Sequence, residues 1–295
     1  MKTKFQNNVA IAVIRVIAVL VVLILAFLLG DILNSGVPHI SWHFLTAPSQ
    51  AFTSGGGIGV QLFNSIYLLL LTLIISFPIS LGAGIFLSEY APKNIFTATV
   101  RMAIEVLSSL PSVVVGLFGF LLFVVQLDMG FSILSGAIAL TFFNLPLLTR
   151  NIEESLRAVP DLQREAGLSL GLSKWRTVIK VILPEALPGI ITGVVLGAGR
   201  VFGEAAALIY TAGQSATNID FGNWNPFNAT SPLNLMRPAE TLAVHIWKIN
   251  SEGVMPDAAA VSAGSSAVLI IAVLIFNFSA RVIGNQLYRK LTATK

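Results

Sequence analysis

Long apolar runs alternate with short polar ones along this chain, and the runs set its architecture. Six of them, at residues 9–29, 60–87, 103–127, 131–148, 189–210 and 261–282, come near the roughly 20 residues that a hydrocarbon layer of about 30 Å demands of a helix. The pattern predicts an all-α integral membrane protein with six transmembrane helices. The second run is long enough to tilt, or to continue past the membrane as a helix. The first follows Lys2 and Lys4, as the core of a signal peptide would, but it outruns the roughly 7–15 residues of such a core. It reads as an uncleaved span. The chain then divides into 1–59, a first span with its outer loop, and 60–295, a core of five spans interrupted by a polar loop at 150–187.

That polar loop has a helical grammar of its own. Glu153, Glu154 and Arg157 sit at helical spacing, and Pro160 ends their stretch. Asp161 is placed to cap a short helix that carries Gln163, Arg164 and Glu165 in its first turns. Gly171 offers a left-handed stop that a residue with a Cβ adopts reluctantly. Ser173 then caps a second short helix from Lys174 to about Ile182, limited by Pro184 and Pro188. The product is a helix–turn–helix knuckle.

Composition and charge sharpen this picture. Of 295 residues, 55% are hydrophobic and only 11% charged, against about 25% charged in soluble domains. If the knuckle is cytoplasmic, fourteen Lys and Arg fall on its side, and only Arg237 and Lys248 on the other, with Arg15 and Arg200 inside spans. Such a bias sets orientation and places both termini in the cytoplasm. With no cysteine, disulfides and thiolate metal sites are excluded. His39 and His43 flank Ile40, Ser41 and Trp42 and read as loop residues; no metal site is expected. The outer segments 30–59 and 211–260, with GGGIG and NWNPFNATSP, are rich in turn formers and bear Trp residues suited to a soluble partner or the membrane interface. No Walker A sequence occurs, so this chain is not expected to hydrolyse ATP or to bind a cofactor. Its expected surroundings are membrane lipid, and no nucleic-acid partner is expected.

The fifth run carries the sharpest chemistry. At about 100° per residue, Gly189, Gly193, Gly197, Arg200 and Glu204 fall within an arc of roughly 80° on one helix face. Glycines four apart allow close helix packing. A charge at the centre of a span costs about 2.5–3.5 kcal/mol, so this face should look into protein or a water-filled path. Arg200 and Glu204 can pair, either as a brace between helices or as a site where guanidinium meets a tetrahedral oxyanion and carboxylate eases its release.

The stretch REAGLSLGLSKWRTVIKVILP at 164–184 resembles the EAA loop of ABC importer permeases. Glu165, Ala166, Gly171, Leu183 and Pro184 keep the motif, whereas Gly167 stands for its second Ala and Val181 for its Ile. FLSEYAP, PSVVVGLFGF, LPEALPGIITG and GRVFGEAAALIYTA are similar to the phosphate-specific permease of the PstA type, with Ala205 in place of a Thr and Ala207 in place of a Pro. The resemblance implies a type I, MetI-like fold and a permease subunit of an ATP-driven phosphate importer in the cell membrane of a bacterium or archaeon. It implies pairing with a PstC-type permease, two copies of an ATP-binding subunit that use ATP and Mg, and an extracytoplasmic phosphate-binding protein. In that family the knuckle docks in a cleft of the ATP-binding subunit. Rival readings are a permease for molybdate or sulfate, a secondary transporter or channel, and a membrane sensor.

Overall fold

Every regular element among the described residues, 2–50, 52–215, 217–252 and 256–292 of the computed structural model, is helical. In chain order the α-helices are α1 (Lys2–Gly36), α2 (Trp42–Thr46), α3 (Gly59–Ile85), α4 (Ile95–Ser108), α5 (Ser112–Gly119), α6 (Ile133–Arg157), α7 (Asp161–Ser169), α8 (Lys174–Thr177), α9 (Leu183–Phe202), α10 (Ala206–Thr211), α11 (Leu242–Glu252) and α12 (Ala258–Thr292), with a 3-10 turn at Val37–His39 after α1. Widened π turns lengthen α3 over Phe86–Tyr90 and α5 over Phe120–Gln126, and a third, Val178–Ile182, joins α8 to α9 without a break.

Five helical stretches among the described residues are long and apolar enough to cross a membrane, and a sixth crossing is a bent pair. The span expected at 103–127 is therefore corrected: α4 and α5 with its π extension meet at 96° across a short break. Pro111 is the cause, since its ring disfavours helical backbone at Leu110 and it has no N–H to continue the ladder. The fourth span also runs further than expected, from Ile133 through the polar Glu153–Glu154 stretch to Arg157. The second outer segment is not wholly irregular, because it contains α11.

The core is built on α3, α6 and α9. Leu68, Leu140, Ala198 and Leu208 belong to one fully buried cluster, and Leu148, Ile152, Leu156, Val178 and Ile182 to a second at the knuckle end. Polar side chains punctuate this core: Ser76, Ser80 and Asn144 are all buried. By contrast α1 is exposed along residues 7–31 and packs only near its end, where Gly36 lies against Ala263 and Ala267 of α12. An apolar helix left bare for this length is one that lipid or another membrane subunit must cover.

Candidate functional site

The knuckle forms where the sequence places it. Gly171 takes a φ of +79° with no atom near its missing side chain. The chain reverses there, with Leu172 donating to the Gly167 carbonyl at 3.2 Å. Ser173 Oγ accepts from the Arg176 N–H, as its cap role requires. Pro160, not Asp161, takes the cap position of α7 and offers no side-chain acceptor. Asp161 stands one residue further on, where its charge still favours the helix N-terminus and meets Arg164 at 3.2 Å.

Gly167 explains its own departure from the motif. A Cβ there would lie 2.7 Å from Thr177 Cγ2, so α7 and α8 close on each other only because this position is bare. Glu165 and Ala166 remain exposed beside Leu170, which is 82% exposed, and Trp175, which is 56% exposed. A rigid, cation-bearing hairpin that shows apolar side chains to solvent has the character of a docking knob.

The second knuckle helix does not end at Ile182. It passes through the π turn into α9, so Leu183 and Pro184 open a long helix and Pro188 lies within it. A widened turn before a proline relieves the clash of its ring with the preceding turn. Lys174–Phe202 is thereby one helical stretch.

On α9 the glycines face α6, as their spacing suggests. Side chains at Gly189, Gly193 and Gly197 would strike Ser155, Asn151 and Asn144, at 2.5, 2.8 and 2.7 Å. The expected pairing of Arg200 with Glu204 does not occur. α9 stops at Phe202, Gly203 ends it, and Glu204 falls in the break before α10 rather than one turn along the same face. The physical reason is at α10, whose buried first N–H groups need an acceptor. Glu204 supplies it, its Oε1 accepting from the Ala207 N–H at 3.1 Å.

Arg200 is left with a different neighbour. Its guanidinium lies over the ring of Phe143 on α6, 3.6 Å from the centroid, and its N–H groups donate to no protein atom among the described residues. One face of the cation is thus supported by an aromatic ring while all its edge donors stay free. That arrangement suits capture of a planar or tetrahedral oxyanion.

A second polar cluster, at the end of the bundle away from the knuckle, escaped the sequence reading. Arg237 is 4% exposed and donates from Nη2 to Asn64 Oδ1 at 2.8 Å and to the Pro232 carbonyl at 3.1 Å. Burial pushes its pKa down to about 10, against the pull of Tyr67. Glu240 accepts from Gln61 Nε2 at 2.9 Å and lies 3.2 Å from His245 Nδ1 and 3.8 Å from Lys248 Nζ. Gln61 and Asn64, two amides at the mouth of an apolar run, were the available signal. The cluster ties the loop before α11 to the first turns of α3.

The family model for the binding-protein-dependent transport system inner membrane component matches residues 80–293. The probable ABC transporter permease protein YqgI of Bacillus subtilis (strain 168) is 50% identical, over 99% of this chain and 100% of its own. The phosphate transport system permease protein PstA of Xylella fastidiosa (strain 9a5c) is 38% identical over 61% of this chain and 63% of that protein. Its namesake in Yersinia pestis is 35% identical over 78% and 73%. Among solved structures, the inward facing MetNI methionine ABC transporter contains a chain that superposes with a TM-score of 0.57 at 19% identity, covering 78% of this chain and 94% of that one.

Proposed function

Because the chain belongs to the family of binding-protein-dependent transport system inner membrane components, we propose that it passes inorganic phosphate through an ATP-driven importer. It is a multi-pass permease subunit with the fold of ABC importer membrane subunits. The observation that carries the phosphate reading is the free guanidinium of Arg200 stacked on Phe143. The PstA relatives, named for phosphate transport, support it.

The unbroken helix from Lys174 to Phe202 supplies the mechanical link. At about 1.5 Å per residue, Arg200 lies roughly 40 Å along it from the knuckle. A partner that grips the knuckle moves the anion site through one rigid rod, with no loop between to absorb the displacement. In this reading the knuckle and both termini face the cytoplasm. Two ATP-binding subunits hydrolyse ATP with Mg and drive the movement. A PstC-type permease completes the path, and an extracytoplasmic phosphate-binding protein delivers the ion. Guanidinium holds phosphate through paired N–H donors, and Glu204, committed to α10 nearby, lowers the local positive potential that would otherwise trap it.

Vesicles containing the assembled complex test this directly. ATP-dependent accumulation of radiolabelled phosphate, lost in Arg200→Gln, is the expected result. Accumulation of molybdate or sulfate in its place would overturn the substrate assignment.

A further inference from the structure

Three residues at the widened end of α3 each hold a cation from a different element. Arg101 of α4 donates from Nη2 to the Leu87 carbonyl at 2.8 Å. Arg164 of α7 meets the Glu89 carboxylate, Nη2 to Oε1 at 2.9 Å and Nε to both oxygens at 3.3 Å. Lys174 of α8 places Nζ 4.7 Å from the centre of the Tyr90 ring. The Glu89 side chain is 6% exposed and that of Arg164 19%. This pair is therefore shielded from the solvent that makes surface ion pairs nearly worthless. Arg164 also donates to the carbonyls of Leu156 and Val159 at the end of α6, which fixes its orientation.

The knuckle is continuous through the backbone with α6 and α9, so its displacement reaches those helices along the chain. α3 and α4 lie earlier in the sequence and have no such connection. Among the described residues, the polar links from the knuckle to α3 are Arg164 on Glu89 and Lys174 on Tyr90. Arg101 then carries the connection from α3 to α4, and its Nε also meets Glu153 of α6 at 2.7 Å.

We infer that the Glu89–Arg164 pair is the joint that passes knuckle motion to α3, and through Arg101 to α4, making Glu89 a positioning residue for transport. The inference rests on the reading that an ATP-binding subunit grips the knuckle. Separating the pair would strand the desolvated Glu89 carboxylate with only the Ser88 hydroxyl to serve it, so the joint holds while the helices move, and α3 travels with the knuckle as one body. A mere brace would affect stability alone.

The test uses the whole complex in sealed vesicles. Glu89→Gln keeps the shape and one accepting oxygen, but drops the charge and puts an NH2 donor where Arg164 now meets a second acceptor. The complex should assemble and hydrolyse ATP, while ATP consumed per phosphate imported rises about tenfold, a coupling loss of ordinary allosteric size. Glu89→Asp, which keeps the charge, should restore most of the ratio. An unchanged ratio in Glu89→Gln overturns the joint. Should that variant fail to assemble, Arg164→Lys carries the same test, since it keeps a cation but loses the fork: a raised ratio supports the joint and an unchanged one overturns it. Wild-type vesicles that hydrolyse ATP yet import no phosphate would sink the substrate reading instead. The joint is then judged with a cysteine introduced at Ile79 on the exposed side of α3. Loss of its ATP-driven change in labelling in Glu89→Gln supports the joint, and an intact change overturns it.

Discussion

Arg200 and Phe143 stack across the seam between α9 and α6, with the guanidinium carbon 3.6 Å from the ring centroid. A cation–π contact of this kind stabilises by about 0.5–2 kcal/mol, and it leaves the edge donors unspent. Carboxylate pairing would have satisfied those donors internally and made the site a brace. Stacking keeps the cation oriented with those donors free.

The first prediction follows from that stack. Arg200→Lys keeps the charge but loses the planar fork, and phosphate uptake should fall by about tenfold or more, a loss of at least about 1.4 kcal/mol in transition-state binding. Arg200→Gln should abolish uptake. Both variants should lose no more than about 2 kcal/mol, the worth of the ring contact, because Glu204 stays bonded to the Ala207 N–H. A large drop in melting temperature with uptake per folded complex intact would make Arg200 a structural residue.

Gly171 gives a purely torsional test. With nothing within 4 Å of its absent side chain, a substitution there meets no steric wall, only the φ of +79°. Gly171→Val should cost about 1–2 kcal/mol of left-handed strain and uncouple uptake while leaving the spans inserted. Gly171→Asn, which tolerates that conformation, should stay close to normal. Equal behaviour of the two variants in an uptake assay would refute the turn's role.

Periodicity and punctuation made most of this fold legible. The apolar runs located the spans, and Gly171 and Ser173 located the turn of the knuckle, because a positive φ and a capping hydroxyl are demands that few residues meet. The errors share a cause. Pro184 and Pro188 looked like stops, yet a widened turn lets α8 run into α9. Glu204 looked like a helix residue, yet the buried start of α10 claims it as an acceptor. Helical wheels assume the helix continues, and tertiary demand for a hydrogen-bond partner decides where it does not. Neither the ring beneath Arg200 nor the Glu89 carboxylate beside Arg164 was visible in the sequence, since both partners come from distant elements.

Packing of α9 on α6 supplies a matched pair of glycine substitutions. A Cβ at Gly197 would stand 2.7 Å from Asn144 Oδ1, whereas none of the surrounding atoms comes within 4 Å at Gly199. Gly197→Ala should destabilise by about 1–3 kcal/mol through overpacking. Gly199→Ala should be neutral or stabilise by up to about 1 kcal/mol. Thermal melts of the detergent-solubilised complex read both.

Orientation is open to a clean chemical test because the chain has no cysteine. Lys174 on the knuckle and Trp224 in the opposite loop are both exposed. An impermeant thiol reagent added to intact cells should label Trp224→Cys and spare Lys174→Cys. The reverse pattern would invert the topology.

Glu240 decides what the cluster around it is for. Its carboxylate accepts from Gln61, faces His245 and lies near Lys248, all from a site 2% exposed. Glu240→Ala would leave the buried His245 ring without its carboxylate and Gln61 with only Ser49 to accept from it, and loss of one partner from a buried charged network costs up to about 3–5 kcal/mol. Glu240→Gln keeps an oxygen for Gln61 and should cost less. If the cluster only fastens the loop before α11 to α3, both variants lower the melting temperature, while phosphate uptake per folded complex holds steady. A cluster that takes part in delivery of the ion would show the opposite, with uptake per complex falling in Glu240→Gln more steeply than stability. The loop geometry favours the first outcome, because Arg237 and Glu240 are buried and bonded inward, the one donating to Asn64 and the other accepting from Gln61.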